Sequence, residues 1–159
     1  MMGYAVSEEQ VNLLNDALEV LLQESEAQAL FISDYGGNII TNVATDEDDS
    51  RETVAALAAG SFSATRELAG MIGENSFHSV FHKGDHSAIY IQCIAGEFII
   101  LAILGKGTTQ GLAKLYIDKA CRQIEPILME TSGQSLETAS GGEAEKFEFN
   151  SDAVFKTES

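Results

Sequence analysis

The segment from Phe98 to Leu104, with the sequence FIILAIL, constrains the fold more than any other part of the chain. Its residues are all apolar, so both faces of a β-strand formed here are hydrophobic. Such a strand has to be covered from above and from below, and helices on both sides of a sheet provide that cover. The segment therefore predicts a sheet with helical layers on its two faces.

The other elements are predicted from runs of β-forming or helix-forming residues between turns. Runs at 29–33 and 39–43 flank a Gly-Gly turn and predict a hairpin, and runs at 77–82, 88–94 and 98–104 predict an antiparallel meander. Helices are predicted at 7–24, 51–73 and 108–128. The order is α-β-β-α-β-β-β-α, which is an α+β domain with a five-stranded antiparallel sheet and helices on both faces.

The two outer helices carry recognisable end signals. Ser7 and Gln10 fit a capping box, in which each side chain satisfies a free backbone N–H of the other residue. Thr108 or Thr109 is predicted to cap the last helix. Pro126 removes one backbone hydrogen bond, so this helix is predicted to kink or end nearby, with Leu128 as its last residue.

The central helix, predicted from Arg51 to Gly73, has two candidate packing faces. The aliphatic face is predicted to pack on the chain's own sheet and consists of Val54, Leu57, Ser61, Ala64, Leu68 and Ile72. The small-residue face, which lets another backbone approach closely, consists of Ala56, Gly60, Ser63 and Glu67. Gly60 costs about 1 kcal/mol relative to alanine inside a helix. We predict that the small-residue face binds a partner; the alternative is a helix covered on both sides by one large core.

Length and charge limit the classes of function. The 159 residues suit one domain, predicted at 1–130, and the formal net charge is −16. This charge argues against nucleic acid and membrane surfaces as partners, because both require clustered Lys and Arg. The sequence has no apolar run near the ~18 residues of a membrane span. It shows no secretion signal, so we expect a cytoplasmic protein.

Residues 131–159 are predicted to be a flexible acidic tail. Residues 131–145 are rich in Ser, Gly, Thr and Glu, a composition typical of linkers. Larger apolar residues interrupt the acidic background that follows, namely Phe147, Phe149, Val154 and Phe155. These residues form a candidate binding segment, and an inert tail is the alternative.

Three patterns resemble ligand sites, and each has a structural explanation. The glycine-rich turn 105–111 lacks the G-x-x-x-x-G-K-[ST] spacing of a phosphate loop, so a tight turn with a Thr cap explains it. His78, His82 and His86 follow at steps of four. On a strand, His78 and His82 lie about 13 Å apart at roughly 3.3 Å per residue, too far for one metal ion. The acidic run 46–49 lacks EF-hand spacing and is predicted to be a solvated connection.

The sequence contains no motif for an active site of its own. Cys93 and Cys121 are predicted to be small buried hydrophobes rather than a disulfide or a metal pair. The nucleophile motif G-x-S-x-G does not occur. We therefore predict a protein that is not an enzyme and needs no cofactor or metal ion.

Four motifs between residues 5 and 130 resemble motifs of one known protein family. They are the small-residue helix at 55–73, the run Ile72-Gly73-Glu74-Asn75-Ser76-Phe77, the motif Phe81-His82-x-Gly84, and Gly111-Leu112 at the start of the last helix. Together they resemble the Roadblock/dynein light-chain family and, within it, bacterial MglB proteins. The resemblance implies a Roadblock-like fold for residues 1–130.

The resemblance also implies a homodimer. Its central helices pair, and its sheets join edge to edge through the third strand, at about residues 77–83. The implied dimer-interface residues are Ala55, Ala59, Phe62, Arg66, His78, Val80 and His82. Two chains together are expected to bind one small Ras-like GTPase of the MglA type and to stimulate its GTP hydrolysis, a role in bacterial cell polarity and motility. The implied mechanism favours the GTPase conformation whose own catalytic residues are in place, without an arginine finger.

The resemblance assigns the GTPase contact to Ser63 and Glu67 of the central helix, with Ala56 and Gly60 in the same stripe. It assigns a second contact to the apolar residues of the tail. Glu67 and its neighbour Arg66 are larger than the residues that MglB-like sequences carry here. The alternative function is a dimeric adaptor, which binds a partner without changing GTP turnover.

Overall fold

A computed structural model describes residues 6–47, 49–75 and 77–138, with residues 131–138 as helical backbone alone. Three helices and five strands follow in the predicted order: α1 (Glu8–Glu24), β1 (Ala27–Asp34), β2 (Ile39–Ala44), α2 (Arg51–Met71), β3 (Ser79–Lys83), β4 (Ser87–Ile94), β5 (Phe98–Gly105) and α3 (Gln110–Thr138). All paired strands are antiparallel. The predicted α+β architecture is confirmed.

The sheet has the strand order β2-β1-β5-β4-β3, so β5 lies in its centre. As predicted, β5 is covered on both faces. Ile100 and Ala102 pack in one core cluster with residues of α1 and α3, while Ile99 and Leu101 pack in a second cluster with residues of α2. Within the described ranges, the sheet therefore separates a layer of two helices, α1 and α3, from a layer that contains α2.

Helix α1 begins with the predicted capping box. The backbone N–H of Gln10 donates to Ser7 Oγ at 3.1 Å, and the backbone N–H of Ser7 donates to Gln10 Oε1 at 3.0 Å. Helix α3 begins with Thr109 as its cap, because Thr109 Oγ1 accepts a hydrogen bond from the Leu112 N–H at 3.2 Å. The glycine-rich segment before α3 is therefore a capped turn.

Helix α3 continues to Thr138, so its predicted end at Leu128 is wrong. Pro126 lies inside the helix. Proline removes a single N–H donor, and the hydrogen bonds formed by the residues on either side of it still hold the helix together. The continuation includes residues 131–138, the first part of the predicted linker. None of the helices within the described ranges is long and apolar enough to cross a membrane.

Candidate partner-binding surface

Helix α2 packs on the sheet through a different face from the predicted one. Its buried residues are Ala55, Ala58, Ala59, Phe62 and Ala69. The alanines allow the helix backbone to lie close to the sheet, and the Phe62 ring fills the remaining space against apolar strand residues. The prediction that the aliphatic face covers the sheet is wrong, because this close approach uses small side chains.

The aliphatic face of α2 instead points to solvent. Leu57 is 70% exposed, Leu68 53%, Ile72 63%, and the neighbouring Met71 85%. Ser61 and Ala64 of the same face are also exposed, and Val54 is half-buried. Large apolar side chains exposed together along one helix are typical of an interaction surface.

The dimer contacts implied by the resemblance divide into two groups. Ala55, Ala59 and Phe62 are buried beneath α2 by the chain's own sheet, so they cannot contact a second chain and this part of the prediction is wrong. Arg66 and both histidines, at positions 78 and 82, are exposed, and Val80 is half-buried. These four residues remain predicted dimer contacts.

The small-residue face of α2 is accessible. Ala56, Gly60 and Glu67 are exposed, Ser63 is half-buried, and no atom lies within 4 Å of the position that a Cβ on Gly60 would occupy. At about 100° per residue, the small-residue and aliphatic faces lie on opposite flanks of the buried face. Helix α2 therefore presents two separate surfaces to solvent.

The sheet is incompletely covered on the Val54 side of α2. Val54 and Ile103 of β5 line a cavity of about 190 Å³. Ile103 pairs with Ile89 of β4, and Ile89 pairs with His82 of the edge strand β3. Ile103, Ile89 and His82 thus form a row across three neighbouring strands. Ile103 and Ile89 are half-buried, and His82 is exposed. The uncovered sheet surface thus extends from α2 to the open edge at β3.

The turn between β1 and β2 supports the other flank of α2. The Asp34 carboxylate accepts hydrogen bonds at 2.9 Å from the backbone N–H groups of Gly36 and Asn38 and from Asn38 Nδ2. Gly37, at φ +86°, lies so close to α2 that a Cβ on it would be 2.7 Å from the Ala56 Cα. The hydrogen-bonded turn therefore packs against the backbone of α2 at Ala56, which belongs to the small-residue face.

Tyr35 connects this turn to α2 and to β4. Its ring stacks on Phe62 with 6.1 Å between centroids, and the Arg66 Cζ lies 4.4 Å from its centre. The Tyr35 hydroxyl and the Cys93 thiol are 2.9 Å apart and share a hydrogen bond. Burial raises the pKa of Tyr35, and the contact with Cys93 adds to this effect. These contacts were not predicted from the sequence.

The two cysteines differ in their surroundings. Cys121 is buried, as predicted, and burial raises its pKa to about 12. Cys93 is only half-buried and is hydrogen-bonded to Tyr35, so it is not simply a small hydrophobe. Both are free thiols.

The remaining candidate sites lie on the surface or outside the described residues. Asp46, Glu47 and Asp49 of the acidic run are exposed, as are His78, His82 and His86. Among the residues that the structure describes, no group of three His, Cys, Asp or Glu side chains is placed to hold a metal ion. The predicted tail contacts lie outside the described residues, namely Phe147, Phe149, Val154 and Phe155.

Comparison with known proteins places this geometry in a family. Residues 13–105 match the family model of the Roadblock/LC7 domain. The chain belongs to the Roadblock/LC7 family. The match covers α1 from residue 13 onward, the whole sheet and α2, so both exposed surfaces of α2 belong to the Roadblock domain.

Solved Roadblock structures of the MglB type are similar to this chain. Myxococcus xanthus MglB is 27% identical, with a TM-score of 0.73, over 80% of this chain and 96% of that chain. The gliding protein MglB of Thermus thermophilus is 21% identical, with a TM-score of 0.75, over 82% of this chain and 98% of that chain. An MglB solved in a tetrameric arrangement matches with the same four values. A search of curated proteins found no match.

Proposed function

We propose that the protein is a homodimeric regulator that stimulates GTP hydrolysis by a small Ras-like GTPase of the MglA type. The observation that carries this proposal is the uncovered outer side of α2. The aliphatic face described above forms one flank of this side, and the small-residue face forms the other; they are called the aliphatic flank and the small-residue flank below. A monomer gains nothing from leaving four large apolar side chains of one helix in water. Two flanks of different chemistry suit two different partners.

The aliphatic flank is proposed to bind a second copy of the chain. It adjoins the half-covered row Ile103–Ile89 and the free edge of β3, so a second chain seated there would cover helix, sheet and edge at once. Fully burying a Leu or Ile side chain contributes about 1.5–3 kcal/mol. Leu57, Leu68 and Ile72 from each of two chains would therefore contribute strongly to association. The tetrameric MglB is itself an assembly of several chains.

The small-residue flank is proposed to bind the GTPase. Ala56, Gly60 and Ser63 present little side-chain volume, so a partner's backbone can lie close to α2. Among the residues that the structure describes, no group of three His, Cys, Asp or Glu side chains on α2 is placed to hold a metal ion. We propose that the regulator instead favours one conformation of the GTPase, whose own residues carry out the reaction. We propose that the chain acts as a regulator of the GTPase and not as an enzyme itself.

A second candidate function is a dimeric adaptor that binds a partner without changing its GTP turnover. Glu67 favours this candidate, because its exposed carboxylate interrupts the small-residue flank. A charged side chain there restricts which partners can approach closely.

The setting that we propose is the bacterial cytoplasm, in cell polarity and motility. The Thermus thermophilus relative is described as a gliding protein. A gene for a small GTPase next to the gene for this chain would support the proposal and would supply the partner for the assay.

The deciding experiment measures GTP turnover by the MglA-type GTPase of the same organism, alone and with increasing concentrations of the protein. Stimulation that saturates at two chains per GTPase is the expected result. Binding with unchanged turnover would favour the adaptor. If neither binding nor stimulation occurs at saturating protein, both functions are wrong.

A further inference from the structure

Arg66 is held in a fixed position while its hydrogen-bonding edge stays free. Its guanidinium lies over the Tyr35 ring at 4.4 Å, and the ring is itself fixed by Phe62 and by the Cys93 thiol. A guanidinium that lies over an aromatic ring uses its flat face, whereas its N–H donors point outward in the plane. The donors that could bind a planar acceptor are therefore available.

Among the residues that the structure describes, Arg66 has no carboxylate partner, although the sequence contains 25 acidic residues. The ion pairs within the described part of the chain are Lys114–Asp118 and Lys119–Glu24. Arg51, the other arginine of α2, donates to the Asn42 side chain and to the Asp46 carbonyl. Of the two arginines of α2, Arg66 is the exposed one, and no hydrogen bond from its guanidinium to another described residue is present.

The position of Arg66 links it to the small-residue flank. Its guanidinium lies over Tyr35 of the turn between β1 and β2, and Gly37 of the same turn packs against Ala56 of this flank. A partner seated on the flank can therefore reach the guanidinium. We propose that Arg66, held by Tyr35, is a preorganised anchor that binds a carboxylate of the GTPase and so determines which GTPase this protein accepts. This inference rests on the proposed function.

Preorganisation is what distinguishes this residue from an ordinary surface arginine. A free arginine loses side-chain conformational entropy when it binds, whereas one already fixed on a ring loses less. A carboxylate also matches the geometry of the guanidinium edge and can accept two hydrogen bonds from it. The anchor therefore contributes to affinity and to the choice of partner, and it takes no part in the reaction.

The experiment separates affinity from turnover. The GTPase is loaded with a non-hydrolysable GTP analogue for binding measurements and with GTP for turnover at saturating regulator. Arg66→Ala is expected to weaken binding about tenfold or more, as for other truncated charge pairs at interfaces. Turnover at saturation is expected to be unchanged. The dimer is also expected to remain, although the resemblance implies a dimer contact for Arg66, because Arg66 lies on the small-residue side of α2 and away from the aliphatic flank that is proposed to bind the second chain. Arg66→Lys keeps the charge but loses the paired hydrogen bonds, so its binding should be intermediate.

Substitutions at Tyr35 test whether the anchor is held in place. Tyr35→Phe keeps the ring and its stack on Phe62 but loses the hydrogen bond to Cys93, so its binding should be close to that of wild type. Tyr35→Leu removes the ring and should weaken binding severalfold. Raising the salt concentration should weaken wild type more than Arg66→Ala.

Four results would overturn the anchor. Equal binding by wild type and Arg66→Ala would show that Arg66 contacts nothing on the GTPase. If Arg66→Ala binds the GTPase normally but no longer stimulates turnover, Arg66 acts in the reaction. If Arg66→Ala is no longer dimeric, Arg66 is a dimer contact. If wild type itself does not bind the GTPase, the proposed function fails and the anchor fails with it.

Discussion

Gly37 lies directly against Ala56, so the turn after β1 and the second turn of α2 are in backbone contact. A Cβ on Gly37 would be only 2.7 Å from the Ala56 Cα, a separation that real Cβ atoms essentially never show. Because Ala56 belongs to the small-residue flank, the contact with the turn sets the distance between this side of α2 and the sheet. The backbone at Gly37 also has a φ of +86°, which side chains disfavour.

We expect Gly37→Ala to reduce the free energy of unfolding by at least ~2 kcal/mol. The positive φ alone costs about 1–2 kcal/mol for a residue with a side chain, and the contact with Ala56 adds to this cost by displacing α2. Gly73→Ala is the matched control, because Gly73 has a similar φ of +84° but open space at its Cβ position. Chemical denaturation of both variants measures the difference. Equal losses in the two variants would mean that the contact with α2 contributes nothing.

Gly60→Arg is expected to separate folding from partner binding. The Cβ position of Gly60 is open, and replacing a helical glycine with arginine stabilises the helix by up to ~1 kcal/mol. The long side chain, however, blocks close approach to the small-residue flank. The variant should therefore unfold at a slightly higher temperature, remain dimeric and lose GTPase binding. Ser63→Arg on the same flank should also lose binding, and unchanged binding in both variants would contradict the assignment of this flank.

The sequence predicts the order of elements well because each boundary has a local cause. Ser7 with Gln10 begins α1, the Gly36-Gly37 turn separates β1 from β2, and the apolar run of β5 requires helices on both faces. Local patterns could not decide how far α3 extends. The proline and the polar composition after it favour an end, but helical hydrogen bonds on either side of Pro126 continue the helix.

The prediction that the aliphatic face of α2 packs on the sheet is wrong because hydrophobicity does not distinguish the chain's own core from a surface that binds a partner. The alanine stripe around Ala59 is less hydrophobic than the stripe of Leu57 and Leu68, yet the alanine stripe is the buried one. Close packing on the sheet selects small side chains. Within the described part of the chain the large ones remain exposed, where a second molecule can cover them.

Long-range contacts were likewise beyond a sequence prediction. The Tyr35 ring meets Arg66 and Cys93, residues that lie 31 and 58 positions further along the chain. No local motif relates these three residues. Only the packing of α2 across the sheet brings them together.

The Cys121 thiol is expected to be inert in the folded protein. The thiolate is the reactive form, and burial raises the pKa of Cys121 to about 12, so almost no thiolate exists at pH 8. In a Cys93→Ser variant, which leaves one thiol, labelling with a disulfide reagent at pH 8 should be negligible before unfolding and complete after it. Labelling should become faster as the pH rises, since the thiolate fraction grows with pH. Rapid labelling of the folded variant at pH 8 would contradict the burial of this residue.

Leu68→Glu tests whether the aliphatic flank of α2 is the dimer surface. Leu68 is 53% exposed in the single chain, so a charge there costs little in the monomer. In a dimer that buries this flank, two carboxylates would be desolvated without partners, and removal of the apolar contacts would add to the loss. We therefore expect a monomer of unchanged secondary structure, measured by light scattering and circular dichroism.

The matched control for this substitution is Leu115→Glu, because Leu115 is 65% exposed on α3, across the sheet from α2. The control should remain dimeric. If both variants stay dimeric, the chains associate through some other surface. If the control alone dissociates, the dimer forms through the layer of α1 and α3, and the aliphatic flank of α2 would then be available to the GTPase together with the small-residue flank.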